Sequence, residues 1–505
     1  MNQRKAGAIL SYVGFFISNI VGIVYTPIML QLMGQSEYGL YGTASSLTSY
    51  LSLLSFGIGG AYLRYSSRYR AANDIEGERR LNGAFLLIFS AISVLVLICG
   101  AGLIVFSEHL VENTFTTREM QRMQIIMALG IVNMVITFLF SAVSMTLQAY
   151  ERYIFIRVVH LIAAICNPII NLIVLYSGGR AVALSVVSLS ISIVSFGIFY
   201  IYAWKELNFR MSFRGIKFDF LKEIFIFSSF LFLNSITDQI TNATDNVILG
   251  AVSGTTAVAV YVVGAHFRTY FMSFSTSISS VFSPKINNIV VAGDSQELDG
   301  LFTRVGRVQF YILSLILIGY VSIGHDFIRL WAGEDYSQSF LIGLLLMLST
   351  FIPLFQNVGL EIQKAMNKHK ARSIVYLIIA LLNVLLTIPA AKRWGGAGAA
   401  FVTMICMLGG NGVFMNWYYN KHIHLDMVGF WKSIASILPG YILPVIVGVA
   451  INRFWELDSY IELLLSALLI TVVFVVSVWF FSMNTYEKEL FSKPFRKLFK
   501  RNKGL

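Results

Sequence analysis

Asp238 and Asp245 stand seven residues apart in a polar run, Asn234–Asn246 (NSITDQITNATDN), set in otherwise apolar sequence. On a helix that spacing puts both carboxylates on one face. Arg268 follows in the next apolar stretch. A lone arginine in such a place would draw a diphosphate or an anionic sugar through charge-assisted hydrogen bonds. The two aspartates would take protons or sodium and tie movement to an ion gradient. The structural alternative is a static Asp238–Arg268 ion pair that clamps two helices. Other polar candidates are weaker. Arg64, beside Tyr62 and Tyr65, suits either a headgroup contact or a snorkelling anchor. His266 and His160 suit either proton relay or simple packing. The hydroxyl run Ser45, Ser46, Thr48, Ser49, Ser52 and Ser55 suits either sugar hydroxyls or close helix contact. Glu361 with Lys364, and Asp326 with Arg329, have the spacing of helix-surface ion pairs.

These residues need an unusual setting, because 56% of the chain is hydrophobic and only 13% charged. Soluble domains carry about 25% charged residues. A spanning helix needs roughly 20 apolar residues. Fourteen stretches qualify: Gly7–Met33, Tyr38–Leu63, Gly83–Phe106, Met123–Ala149, Tyr153–Tyr176, Ala181–Trp204, Ile224–Val252, Thr255–Phe282, Val308–Ala332, Gln338–Gln363, Ser373–Ala391, Gly395–Tyr418, Val428–Ile451 and Tyr460–Met483. With the N-terminus in the cytoplasm, and with Arg64 and Arg157 counted at helix ends, 30 Lys and Arg are assigned to the cytoplasmic side and 7 outside, and Arg268 is left over inside a span. That bias predicts a multi-pass protein of the cell membrane with both termini cytoplasmic. It also accounts for the net charge of +12 without nucleic acid as a partner. From the outer ends of their helices, Asp238 and Arg268 are both roughly 20 Å deep at about 1.5 Å per residue. The first apolar stretch is too long for a cleavable signal. Cys99, Cys166 and Cys406 lie within spans, with no disulfide or zinc spacing. The tail Lys493–Lys503 interleaves cations with Phe and Leu, as a segment lying on anionic headgroups does.

The chain repeats itself. Gly34 and Tyr41 are matched by Gly254 and Tyr261 at an offset of 220. Ala149, Asn167, Gly179, Ala181 and Ala183 are matched by Ala365, Asn383, Gly395, Ala397 and Ala399 at an offset of 216. Six spans per copy is an even number, so both copies enter from the same side. The expected organisation is an N-lobe (1–204), a basic cytoplasmic connector (205–223) acting as hinge, a C-lobe (224–420), two extra helices (421–484) and a basic tail (485–505). Gly57, Gly59 and Gly60 at the inner end of the second span suit either a bend or a close helix crossing.

Three segments carry a family likeness: Gly34–Tyr41, Thr244–Gly250 (TDNVILG) and Phe327–Tyr336 (FIRLWAGEDY). With them the chain resembles the Wzx-type polysaccharide flippases, of the multidrug/oligosaccharidyl-lipid/polysaccharide exporter superfamily. The resemblance implies an all-α polytopic membrane protein of 14 transmembrane helices. Two parallel six-helix lobes would form a V, as in MATE transporters, with two further C-terminal helices. It implies an undecaprenyl-linked oligosaccharide as cargo, moved from inner to outer leaflet by alternating access for cell-surface polysaccharide synthesis. By resemblance to lipid II flippases, Asp238, Asn383 and Thr403 could hold Na⁺, although neutral Thr387 stands where a carboxylate would be expected. Together the readings make Arg268, Arg64, Ser49, Ser52 and His266 substrate-binding, and Asp238, Asp245, Asn383 and Thr403 ion-coupling. No resident cofactor is expected beyond H⁺ or Na⁺ as coupling ion. Expected partners are the lipid-linked glycan, membrane lipids and a polymerase or glycosyltransferase, with the chain itself a monomer.

The competing function is an ion-coupled multidrug or cation exporter of the same superfamily. A central arginine disfavours it, because it repels cations. A membrane enzyme is disfavoured by short outer loops with few carboxylates. No P-loop or GxGxxG on a strand supports ATP-driven transport.

Overall fold

A computed structural model describes residues 3–55, 58–216, 218–366, 368 and 370–492, with side chains described for all of these except 3–9, 12, 218–223, 225–234, 237, 238, 241, 242, 370 and 371. Every regular element among the described residues is a helix or helical turn. The first seven helices are α1 (Gln3–Met33), α2 (Gln35–Ser49), α3 (Gly59–Ala71), α4 (Ile75–Val111), α5 (Thr117–Ala149), α6 (Tyr153–Tyr176) and α7 (Ala181–Glu206). Then come α8 (Phe218–Ala292), α9 (Ser295–Ala332), α10 (Ser339–Phe355), α11 (Asn357–Ala365), α12 (Lys370–Met407), α13 (Met415–Tyr418), α14 (Met427–Ala435), α15 (Ile442–Phe454) and α16 (Tyr460–Phe481).

Eleven helical stretches are long and apolar enough to cross a membrane. The fourteen expected crossings are recovered where helices run on or break. The 75 residues of α8 are far longer than a bilayer requires. Its backbone leaves helical geometry at Gly254 (φ 81°, ψ −178°), which divides two crossings. Gly395 (φ 57°, ψ −139°) divides α12 in the same way. The second expected span is the third case: α2, a 3₁₀ turn over Tyr50–Ser55 and α3 are each too short alone. The tenth expected span also breaks, between α10 and α11, just after Pro353. The twelfth ends in π-helical turns, Leu408–Phe414 and Tyr419–Ile423, which the sequence pattern did not foretell. The protein is thus an all-α polytopic membrane protein with fourteen crossings.

Packing divides the chain into two compact units. The first holds residues 1–262 and 376–399. Its core joins Tyr62, Phe85, Phe89 and Phe138 from α3, α4 and α5. The Tyr62 hydroxyl would be costly to bury alone, and it is bonded to Asn82 Oδ1 (2.6 Å) and Thr146 Oγ1 (2.6 Å). The start of the basic connector is pinned to this unit. Ser212 N–H donates to the Arg79 carbonyl (2.9 Å), and the Asn82 amide donates to the Arg210 carbonyl (3.0 Å). Gly83 has no Cβ for a reason: one would come within 2.2 Å of the Ser212 carbonyl oxygen. Residues 210–212 of the connector are therefore held against this unit.

The second unit holds residues 263–375 and 400–505. Phe310, Phe351, Phe355 and Phe430 build its aromatic centre. The two C-terminal crossings, α15 and α16, pack on α9 through Ile451, Leu463 and Ile470. At one end of α9, Arg307 and Glu487 form a buried ion pair (2.5 Å), and Tyr311 donates to the same carboxylate (3.1 Å).

Candidate functional site

Within the first unit, α2 and the first half of α8 meet along a polar seam. Gly39 makes the approach possible, because a Cβ there would lie 1.7 Å from the Thr255 carbonyl oxygen. One turn on, Thr43 faces Gly250. Further along, the Asn246 amide donates to Ser46 Oγ (3.0 Å), the Gln239 amide donates to Ser49, and Tyr50 bonds Thr244. Numbers rise on α2 as they fall on α8, so the two run antiparallel. Positions 39, 43, 46 and 50 recur at helical spacing and form one face. From Gly39 to Tyr50 the seam is about 16 Å long at 1.5 Å per residue.

This arrangement explains why the seventh expected span is polar. Side chains that would be unsatisfied in hydrocarbon find partners on α2. Part of the stripe is therefore covered by a helix in this conformation. Asp245 is 4% exposed and accepts a hydrogen bond from Tyr261. The seam continues past its polar centre. Thr114 Oγ1 donates to the Gly250 carbonyl (2.7 Å), and Ser36, Thr255 and Glu119 form a hydroxyl–carboxylate cluster.

The expected site residues fall as follows. Ser49 lies in the seam, donating to the Ser46 carbonyl (2.7 Å) while accepting from Gln239. Ser52 is exposed in the 3₁₀ turn. Arg64 is exposed on α3. Asn383 (7% exposed) is buried in the first unit. In the second unit, Arg268 (8% exposed) and Thr403 (1%) are buried, and His266 is half-buried and stacks on Tyr270. Arg268 thus does not reach out toward lipid. Its neighbour Phe267 packs against Tyr320, Phe327 and Trp331 of α9, which fixes how this part of α8 is rotated. The side chains of Asp238 and Asn234, Gly57 and the tail Lys493–Lys503 lie outside the described residues. The pairs Glu361–Lys364 (2.8 Å) and Asp326–Arg329 (3.6 Å) form as their spacing suggested.

Sequence spacing missed three groups. Tyr261 on Asp245 is sixteen residues away across the Gly254 break. Glu37 pairs with Arg122 and lies 3.9 Å from Arg180. Arg307 pairs with Glu487, which is 180 positions on. Arg122 and Arg180 gave one signal in the sequence, as cations in segments where cations are scarce.

Comparison with known proteins agrees with this architecture. Residues 5–290 match the family model described as "Polysaccharide biosynthesis protein". A probable flippase, AglR of Haloferax volcanii, is 21% identical over 389 residues, which is 77% of each chain. The fold is similar to that of lipid II flippase MurJ in an inward closed conformation (TM-score 0.74, 15% identity, 96% of this chain and 99% of that one). It is also similar to an inward-facing multidrug resistance MATE family transporter (TM-score 0.65, 12% identity, 82% and 99%). The chain belongs to the polysaccharide biosynthesis protein family, among the Wzx-type flippases of the multidrug/oligosaccharidyl-lipid/polysaccharide exporter superfamily.

Proposed function

We propose that this flippase carries an undecaprenyl-linked oligosaccharide from the inner to the outer leaflet of the cytoplasmic membrane, for cell-surface polysaccharide. The observation that carries the reading is Arg268, a buried guanidinium in the middle of a membrane-crossing helix of a polysaccharide-family protein. Such a charge is costly to place there, by roughly 2.5–3.5 kcal/mol on insertion scales, and is retained where it serves a polar task. A lipid diphosphate is the matching cargo, because bidentate guanidinium contacts suit phosphate oxygens. A cation exporter would be hindered by the same charge.

The cycle we infer is alternating access. In the cytoplasm-open state the diphosphate and glycan reach Arg268, while the lipid tail stays in the bilayer. Opening to the other side requires helices to part, and the α2–α8 seam is a contact that must break and reform. Its hydrogen bonds are individually worth about 0.6–2 kcal/mol in a membrane, small enough to exchange for water or sugar hydroxyls. Ser49 and Ser52 would then meet the glycan, with His266 beside Arg268 in sequence and Arg64 at the entrance. Asp238 and Asp245, with Asn383 and Thr403, are the groups for coupling to H⁺ or Na⁺. Both termini face the cytoplasm, where glycosyltransferases make the cargo, and the monomer is the working unit. The test is rescue of a flippase-deficient strain. Expression of this chain should restore surface polymer, and unrestored polymer at normal protein level would contradict the reading.

A further inference from the structure

The first unit contains a cavity of about 670 Å³ where α5 and α7 begin, beside the end of α2 from which the α2–α8 seam starts. Its polar side is Glu37, Arg122 and Arg180, and its apolar side is valine, including Val182 and Val186. Glu37 is 6% exposed. One of its oxygens is shared by two cations, since it accepts from Arg122 and lies 3.9 Å from Arg180. One carboxylate between two guanidiniums leaves a net positive charge. The guanidinium side chains keep 42% and 61% of their surface open, so both can take a further acceptor.

The backbone adds to this charge. Gly178, with φ +87°, turns the chain so that Arg180 becomes the residue preceding α7. No side chain caps the first turn of α7, and Val182 and Ala183 of that turn line the cavity. A helix start presents free N–H groups and the positive end of its dipole. Below this polar mouth Val186 is 45% exposed, on a helix whose outer face is hydrocarbon. A cationic mouth over an apolar wall, at the end of membrane-crossing helices, is the shape of an amphiphile with a phosphate.

We propose that this cavity binds the phosphodiester of a membrane lipid, with phosphate oxygens on Arg122 and Arg180 and the first part of an acyl chain along Val182 and Val186. The site is separate from the cargo path inferred above, because α8 does not line it. Occupancy has a consequence for the seam. Glu37 sits in the first turn of α2, two residues before Gly39 and six before Thr43. A phosphate on Arg122 and Arg180 competes with Glu37 for the same donors and loosens the end of α2 that the seam begins from. The lipid is thereby a regulator rather than a cargo.

The test uses the full chain in an uncharged detergent, with binding read as a saturable rise in melting temperature. The probes are dihexanoylphosphatidylglycerol, dihexanoylglycerol and inorganic phosphate. Phosphatidylglycerol should bind, and Arg180→Gln should weaken it by about tenfold to a hundredfold, the usual worth of a charged hydrogen bond. Arg180→Lys should restore part of the loss, and Val186→Trp, which fills the wall, should also weaken binding. Arg122→Gln can unsettle Glu37, so Arg180 and Val186 carry the decision. Equal binding of uncharged dihexanoylglycerol, or unchanged affinity in Arg180→Gln, overturns the proposal. Equally tight binding of inorganic phosphate overturns the lipid assignment in favour of a free anion. None of these readouts depends on flipping, so the site can fail while the cargo reading stands.

Discussion

Gly34 and Gly254, 220 positions apart, adopt the same left-handed backbone, φ 80° at one and φ 81° at the other. Each separates two membrane crossings, with ψ 161° and −178° respectively. The paired Gly–Tyr segments of the sequence are therefore paired turns. Neither glycine is there for lack of space. A Cβ at Gly34 meets nothing within 4 Å, and one at Gly254 meets only the Thr114 carbonyl oxygen at 3.5 Å. Alanine should thus cost about 1–3 kcal/mol at either site, from backbone strain alone. Thermal melting of the purified single and double variants checks this. The two losses should be similar and additive, and a costless substitution at either site would contradict the shared geometry.

The seam can be locked. Asn246 and Ser46 touch through their side chains, so Ser46→Cys with Asn246→Cys should crosslink under mild oxidation. Transport by the oxidised double variant should fall to background and return on reduction. Undiminished transport in a fully crosslinked sample would mean that α2 and α8 need not separate.

Coupling is tested at the carboxylates. Asp238→Asn should weaken the response of flipping to an imposed proton or sodium gradient in proteoliposomes, with protein level unchanged. Asp245→Asn should do so less selectively, because it also disturbs the bond from Tyr261. Equal gradient dependence in wild type and Asp238→Asn would remove the aspartate from the coupling path.

The Arg307–Glu487 pair gives stability a pH dependence. Burial alone would raise the Glu487 carboxyl, but the Arg307 guanidinium, the Asn484 N–H and the Tyr311 hydroxyl hold it below its ordinary 4.5. A depressed folded-state value favours the folded protein above the ordinary value. That advantage is lost as pH falls from about 4.5 through the folded-state value. Glu487→Gln leaves Arg307 buried without its anion and should cost about 3–5 kcal/mol at pH 7. Melting curves between pH 7 and pH 3 should therefore converge for wild type and variant on the acid side. Parallel curves throughout would exclude Glu487 as their source.

How far the sequence could be read depended on the distance over which each signal acts. Hydropathy and charge asymmetry are local, so fourteen crossings were legible, although Gly254 and Gly395 sit in helices that run on through the turn. The second repeat match is one residue out of step in structure: Gly178, not Gly179, takes the left-handed turn that Gly395 takes in the later copy. The polar stripe of residues 234–246 was legible, but its partner was not. Composition says that polar groups in a membrane need company and cannot say that Ser46, Ser49 and Tyr50 supply it. Arg122 and Arg180 were visible only as charges on the wrong side of a tally, because Glu37 meets them through folding alone.

Arg268 is the residue on which the function turns, and flipping in reconstituted vesicles measures it most directly. An undecaprenyl diphosphate-linked oligosaccharide with a fluorescent sugar is placed in one leaflet, and its exposure to a membrane-impermeant quencher is followed over time. Wild type should expose the label at least about tenfold faster than Arg268→Ala, the loss expected when one charged hydrogen bond to the diphosphate is removed, while both melt alike. Equal rates for the two proteins would contradict the claim that this buried guanidinium recognises the cargo.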